Sequence, residues 1–300
     1  MPVTAGSPMA DGEDLSSILD NIGYGRLAAT RAKLANTTAT RDFLQIGLAL
    51  LQDDLLRHTG PDFDQGDRSR LFESLSRERI LARADEMDPG KEKMLTVHMF
   101  RHRWERKDRY TEDLISYLFR LGPQQRHVEE MAEAATKLLA DASLKQMVEL
   151  LAAAEVEAML ADPLVSLQTI VQAALPNHPR VRYFIQAQYD LLMPAWAGLY
   201  EQITTAYGLQ LKAGFTWLDV ALLFNAVVEG ALARARIDRA EPTLSSGERL
   251  LAGAILVMLP SLIEGLPADC NDLYARQSAQ RVPSGTGLEE IVAGAHQVLH

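Results

Sequence analysis

Apolar residues recur along most of this chain at intervals of three and four residues, which is the period of an amphipathic helix. The clearest early example runs from Arg41 to Arg57, where a broad apolar stripe follows Thr40, a residue type that often caps helix N-termini. No convincing stretch alternates apolar and polar residues in the way a half-buried strand does. The pattern therefore predicts an all-α protein.

The same period, interrupted by Gly and Pro turns, predicts the other helices. Glu13 to Leu34 reads as a broken helix, and Thr216 with Asp219 predicts a capping box. A similar cap at Ser245–Glu248 predicts a helix through Met258. The remaining predicted helices cover about 70–87, 96–104, 107–120, 124–160 with a break near Asp141, 163–175, 180–207 with a kink at Pro194, and 288–299.

Composition narrows the class of protein. The 300 residues suffice for one large domain or two ordinary ones, and 47% hydrophobic with 23% charged residues is normal for a soluble globular protein. The lone cysteine, Cys270, excludes an internal disulfide and a cysteine-cluster metal site. The first residues lack the order of an export signal. The longest apolar run, Leu250–Ile263, falls short of the ~20 residues a bilayer span needs. We therefore expect a cytoplasmic protein with no membrane partner.

Positive charge is concentrated in one stretch of this chain, whose formal net charge is -10. Phe100 and Trp104 stand four residues apart and give the stretch an apolar side, which leaves its other side for solvent or a partner. A short helix of this kind, followed by a second amphipathic helix, is typical of DNA-reading elements, although a solvated basic face is the alternative. The basic residues are Lys91, Lys93, Arg101, Arg103, Arg106, Lys107 and Arg109.

No sequence motif points to catalysis. The chain has no GxGxxG, GxxxxGK[ST], GxSxG or HExxH motif, and we expect neither a cofactor nor enzymatic activity. A helical enzyme stays open as a third hypothesis with no residue constellation behind it. His98 and His102 could share a helix face as a metal pair, but no third ligand is evident nearby, so we expect no metal site.

Three segments resemble the TetR family of transcriptional regulators. Thr40-Arg41-Asp42 resembles the start of the family's first helix, and Leu95–Trp104 resembles its recognition helix, with Thr96 at the cap. Lys107-Asp108 falls where the family has a Lys-Glu pair opening the fourth helix. The third segment resembles the last two helices of actinobacterial members: Leu199-Tyr200, Tyr207-Gly208-Leu209, Phe215–Asp219 and Val227–Gly230.

The resemblance implies a fold with two parts. A three- or four-helix helix-turn-helix unit would cover 40–119, and a larger helical bundle for ligand binding and dimerisation would cover 124–267. A flexible or partly helical extension would precede them at 1–39, and a loop with a short helix would follow at 268–300.

The resemblance also implies a function, which is ligand-responsive regulation, as a repressor, by a homodimer that binds a pseudo-palindromic double-stranded DNA operator. A small apolar or aromatic effector would bind in the C-terminal bundle. The DNA-binding candidates are Thr96, His98, Arg101, His102, Arg103 and Lys107. The candidates for the ligand pocket are Tyr183, Phe184, Tyr189, Met193, Trp196 and Tyr200, for which ordinary core packing is the alternative.

A second hypothesis is an all-α ligand- or partner-binding protein of TetR-like fold that has lost DNA binding. The links between Gly60 and Lys93 are longer than the family pattern, and the whole chain is acidic. Both features favour this hypothesis.

Overall fold

The structure is a computed structural model that describes residues 12–57, 71–72, 75–87, 95–238, 240–267 and 270–275. It is mostly helical, which confirms the all-α prediction. The helices are α1 (Ala28–Ala35), α2 (Thr38–Leu55), α3 (Arg77–Met87), α4 (Val97–Trp104), α5 (Lys107–Leu118), α6 (Gly122–Leu138), α7 (Leu144–Ala161), α8 (Pro163–Ala174), α9 (Pro179–Ala206), α10 (Trp217–Asp238) and α11 (Leu250–Leu262).

Two short strands accompany the described helices. β1 (Gln210–Leu211) pairs antiparallel with β2 (Ile263–Glu264). Cys270–Asp272 forms one turn of 3-10 helix. The predicted helix at 288–299 lies outside the described residues.

Local capping chemistry explains several helix starts. The Thr96 hydroxyl accepts a hydrogen bond from Met99 N at 3.2 Å, so the predicted cap of α4 is confirmed. At α10, Asp219 N donates to Thr216 Oγ1 at 3.2 Å and Thr216 N donates to Asp219 Oδ2 at 2.7 Å, the reciprocal pair of a capping box. The break predicted near Asp141 is confirmed by the gap between α6 and α7.

Two predicted caps were wrong. α2 begins one turn earlier, with Thr37 as its N-cap, and the buried Thr40 hydroxyl donates instead to Leu34 O at 2.6 Å. α11 begins after Arg249 without a side-chain cap, and Glu248 accepts a hydrogen bond from Lys145 Nζ at 3.1 Å. These two residues form tertiary contacts that a local capping pattern does not reveal.

The chain divides into two compact units. The first unit comprises Met1–Arg120 and Asp162–Ile185, and the second comprises Leu121–Ala161 and Gln186–His300. α8 therefore belongs to the first unit, and α9 contributes residues to both.

The described part of the N-terminal extension is integral to the first unit. Leu15, Leu19 and Ile22 are fully buried in the same core as α2, α4 and α5. Arg120 of this unit donates to the Glu13 carboxylate at 3.1 Å. This segment therefore contributes to the hydrophobic core that supports α4.

Four aromatic rings from three helices form the centre of the first unit. Phe43 of α2 contacts Phe100 and Trp104 of α4 edge-on, with ring centroids 5.5 and 5.9 Å apart. Tyr110 of α5 packs on Trp104 at 5.0 Å, and its hydroxyl donates to Phe43 O at 2.7 Å. Gly47 lies against that hydroxyl, and a Cβ at this position would overlap it.

We expect Gly47→Ala to destabilise the protein. Helix propensity alone would stabilise α2 by about 1 kcal/mol, but overpacking against Tyr110 costs about 1–3 kcal/mol. Urea denaturation should therefore show a free energy of unfolding lower by up to about 2 kcal/mol. The same substitution in a Tyr110→Phe background should cost less, because the overlapping oxygen is gone. An equal loss in both backgrounds would contradict this contact.

Candidate functional site

The first candidate site is the outer face of α4. Phe100, Arg103 and Trp104 are buried, whereas His98, Arg101 and His102 are exposed. The helix therefore has an anchored side and an open side. Thr96, at its N-terminus, is half-buried and occupied as the cap.

Arg103 lies in the interior, although the sequence reading placed it among the DNA contacts. Its Nε donates to Thr40 Oγ1 at 2.9 Å, its Nη2 to Thr37 Oγ1 at 3.1 Å and its Nη1 to Met99 O at 3.0 Å. Burial lowers the pKa of its guanidinium. The side chain therefore joins the last turn of α4 to the start of α2 and is withdrawn from solvent.

A buried carboxyl also fixes the C-terminal end of α4. Trp104 Nε1 donates to Asp113 Oδ2 at 2.9 Å, and Asn21 donates to Asp113 Oδ1 from its backbone N at 2.9 Å and from Nδ2 at 3.1 Å. Burial raises the pKa of the Asp113 carboxyl to about 6, despite the opposing effect of these hydrogen bonds. Asp113 of α5 thus holds both α4 and the N-terminal segment.

The turn from α4 to α5 is unusually tight. Glu105 has φ 51° and ψ -51°, and Arg106 N donates to Trp104 O across it, as in a γ-turn. Arg109 Nη1 pairs with the Glu105 carboxylate at 2.7 Å, and its guanidinium lies 3.9 Å from the centre of the Tyr24 ring. Arg109 therefore braces this turn.

Arg26 adds a positive charge to α4 from a distant part of the chain. Its Nη1 lies 2.7 Å from His102 Nε2, and the two residues are 76 positions apart. Gly23 N donates to Arg103 O at 2.7 Å, which holds the Arg26 segment against the end of α4. Partial burial, followed by the charge of Arg26, lowers the pKa of His102. We call His98, Arg101, His102 and Arg26 the α4 surface.

The start of α5 contributes further charge beside this surface. Lys107 is exposed in the first turn of α5, where helix N–H groups favour an anion. Arg106 is exposed as well, but its guanidinium pairs with Asp108 at 2.6 Å. Lys91 and Lys93, which belong to the basic stretch in the sequence, lie outside the described residues.

A metal would need more ligands than α4 provides. The His98 and His102 rings lie 6.2 Å apart. In the part of the chain that the structure describes, no three His, Cys, Asp or Glu side chains form a group that could hold a metal ion.

The second candidate site is a cavity of about 120 Å³ inside the second unit, bounded by α6, α7, α9, α10, α11 and β2. Its walls are mostly aliphatic and aromatic, with polar groups at Glu155, Tyr200, Thr204 and Asn225. His127 Nε2 lies 2.6 Å from Glu155 Oε2. Trp196 stacks on Tyr200, and Phe224 meets Tyr200 edge-on.

The structure separates the six residues predicted for a ligand pocket. Trp196 and Tyr200 line the cavity. Tyr183 and Phe184 belong to the first unit, where Tyr183 is exposed and Phe184 packs against the core. Tyr189 donates its hydroxyl to Glu229 at 2.9 Å, and Met193 is buried beside Ala197, so neither lines the cavity. The sequence reading missed Glu155, which stands three residues after the buried Ala152 on the inner face of α7.

An apolar stripe remains exposed on the second unit. Leu218 and Leu222 of α10 are 44% and 47% exposed, Ile237 is 73% exposed, and Val257 of α11 is 76% exposed. Ala226 and Ala233 continue the stripe on α10. Exposed apolar residues at this helical spacing are typical of a surface that another protein covers.

No family model and no curated protein matches the sequence of this chain, and no solved structure matches its fold. None of the described helices is both long and apolar enough to cross a membrane.

We expect Asp113 to give stability a specific pH dependence. The folded carboxyl has a pKa of about 6, against about 3.9 when unfolded. The folded state therefore holds the proton more tightly, and about 2 kcal/mol of stability is lost as pH rises from 4 to 7. Urea denaturation across this pH range should show the loss of stability in the wild type. Asp113→Asn should not show it, because the amide does not titrate. A constant gap between the two proteins would contradict it.

Proposed function

We propose that this protein is a ligand-responsive, DNA-binding transcriptional regulator of the TetR type, acting as a dimeric repressor. One observation carries the DNA-binding half of the proposal: α4 is anchored by Phe100 and Trp104 while His98, Arg101 and His102 face solvent. A short capped helix with a rigid apolar side and a basic outer side fits the major groove.

Each group on this face has a chemical role in the proposal. Arg101 and the two histidines can donate to base edges or phosphates, and Arg26 extends the positive charge beside His102. Lys107 and the first N–H groups of α5 can hold a phosphate. Arg103 is assigned to support α4 and not to contact DNA, because each of its three guanidinium nitrogens donates a hydrogen bond inside the protein.

Regulation needs a ligand that distinguishes two forms of the protein. The cavity of the second unit is the proposed effector site. A ligand that binds the DNA-free form more tightly lowers DNA affinity by the ratio of its affinities for the two forms.

A second function is favoured by the distribution of charge. Arg103 is buried, and Arg106 and Arg109 pair with Asp108 and Glu105, so α4 and its turn offer less free positive charge than the sequence suggested. The net charge of -10 also disfavours binding to the negatively charged phosphates of DNA. The competing proposal is a helical ligand- or partner-binding protein without DNA affinity.

Two arginine variants test whether the exposed side of α4 contacts DNA. Arg101→Ala should weaken duplex binding and reduce the slope of log affinity against log salt by about 1, since an exposed phosphate or base contact is lost. Its free energy of unfolding should change by less than about 0.5 kcal/mol. Arg103→Ala should instead lower that free energy by about 2–4 kcal/mol, because one buried and two partly buried hydrogen bonds are lost. Gel shifts at low salt and urea denaturation measure the two effects.

Lys137→Ala is the charge-matched control, since Lys137 is exposed on α6 in the second unit. It should leave DNA affinity unchanged. An affinity loss equal to that of Arg101→Ala would mean that only net charge matters. If the wild type binds no duplex at low salt, the regulator proposal fails and the second function is favoured.

The dimer is proposed to form through the exposed stripe of α10 and α11, with a second copy of the chain as the partner. Leu222→Glu places a charge in that interface and should shift light scattering from dimer to monomer. Leu150→Glu is the control, because Leu150 is a similarly exposed leucine on α7. A wild type that is already monomeric, or a Leu222→Glu protein that stays dimeric, would overturn this interface.

A further inference from the structure

The cavity of the second unit has a single ionisable carboxyl group in its wall. Glu155 is its only acidic or basic lining residue within the described part of the chain, and it is 9% exposed. Around it lie apolar side chains such as Met147, Leu151 and Val228. A carboxylate in such surroundings is costly unless it is paired, so its partners indicate which ligand the cavity suits.

The protein contacts the Glu155 carboxylate through its Oε2 oxygen. His127 Nε2 contacts Glu155 Oε2 at 2.6 Å. Among the described residues, the contact with His127 is the hydrogen bond found for the Glu155 carboxylate. A ligand that donates a hydrogen bond or carries a positive charge would complete the pairing, whereas an anionic ligand would meet a buried like charge.

Three aromatic rings in the wall of the same cavity also favour a cation. Trp196 and Tyr200 are stacked with centroids 5.8 Å apart, and Phe224 meets Tyr200 at 5.2 Å. All three line the cavity. Burial, followed by the negative charge of Glu155, raises the pKa of Tyr200, so its hydroxyl stays protonated. The faces of aromatic rings attract ammonium groups, most strongly when water is excluded.

The cavity volume limits the size of the ligand. At about 120 Å³ it is close to the 150 Å³ of an apolar protein cavity that accommodates benzene. One ring with a short substituent fits this volume better than a fused polycyclic molecule does.

We infer that the cavity binds a small aromatic monoamine, with the ammonium group on Glu155 and the ring among Trp196, Tyr200 and Phe224. This inference rests on the effector part of the proposed function and names its ligand class. Asn225 and Thr204, which also line the cavity, supply polar contacts at its wall.

Three ligands of nearly equal shape test the charge requirement: benzylamine, benzyl alcohol and benzoate. Titration calorimetry and tryptophan fluorescence follow binding, because Trp196 and Trp217 line the cavity whereas Trp104 lies in the core of the first unit. Benzylamine should bind about tenfold to a hundredfold more tightly than benzyl alcohol, and benzoate should bind most weakly. Equal binding of the three, preference for benzoate, or no binding of benzylamine would overturn the inference.

Glu155→Gln supplies the matched variant, since the amide keeps the shape and can still contact His127. It should remove the preference for benzylamine over benzyl alcohol and leave benzyl alcohol affinity nearly unchanged. Glu157→Gln is the control: this residue is exposed on the same helix and pairs with Arg249 at 2.8 Å outside the cavity. A preference that survives Glu155→Gln would show that the carboxylate does not select the ligand.

The DNA assay separates the two proposals. If benzylamine binds through Glu155 but the protein binds no duplex, the ligand assignment stands and the regulator function fails. If the protein binds duplex and benzylamine does not bind the cavity, the regulator function stands and the ligand assignment fails. If both bind, benzylamine should weaken the gel shift of the wild type but not that of Glu155→Gln at the same concentration.

Discussion

The buried hydrogen bond from Trp104 Nε1 to Asp113 Oδ2 is the interaction on which the first unit depends most. It joins α4 to α5, and the same carboxylate accepts two hydrogen bonds from Asn21 of the N-terminal segment. A fully buried carboxylate would be unfavourable without these donors. Because three segments meet at one residue, the orientation of α4 is determined by core contacts and does not require a DNA partner.

This arrangement explains how α4 can be both rigid and accessible. The aromatic rings of Phe43, Phe100, Trp104 and Tyr110 occupy its inner side, and Arg103 binds the two threonines at the start of α2. The outer side then needs no structural contacts of its own and can carry charge. In the proposed function, the side chains on the outer side of α4 that contact bases can be substituted without altering the packing of the core.

The second unit has a similar balance between an apolar interior and one charged group. Its cavity is almost wholly hydrophobic, and Glu155 is compensated by His127 at one oxygen. A hydrophobic replacement at this position would be easier to bury than a carboxylate. The position of the charge, beside a stacked Trp196–Tyr200 pair, is the physical basis for the inferred amine specificity.

The sequence by itself determined the features that depend on neighbours within one helical turn. The apolar period predicted helices throughout, and the caps at Thr96 and Thr216 followed from side chains that reach N–H groups three residues away. The period also contained a signal that was missed: Arg103 stands three residues after Phe100 and beside Trp104, on the side of α4 that is buried.

Only the tertiary structure decided which charges are exposed and which are paired. Arg103 meets Thr40 across 63 positions, Arg26 reaches His102 across 76, and His127 reaches Glu155 across 28. Such pairs form because the hydrophobic core brings distant helices together, and the charge pattern of a single segment carries no information about them. The residues that line the cavity likewise come from six separate elements, so their grouping is a property of the packing.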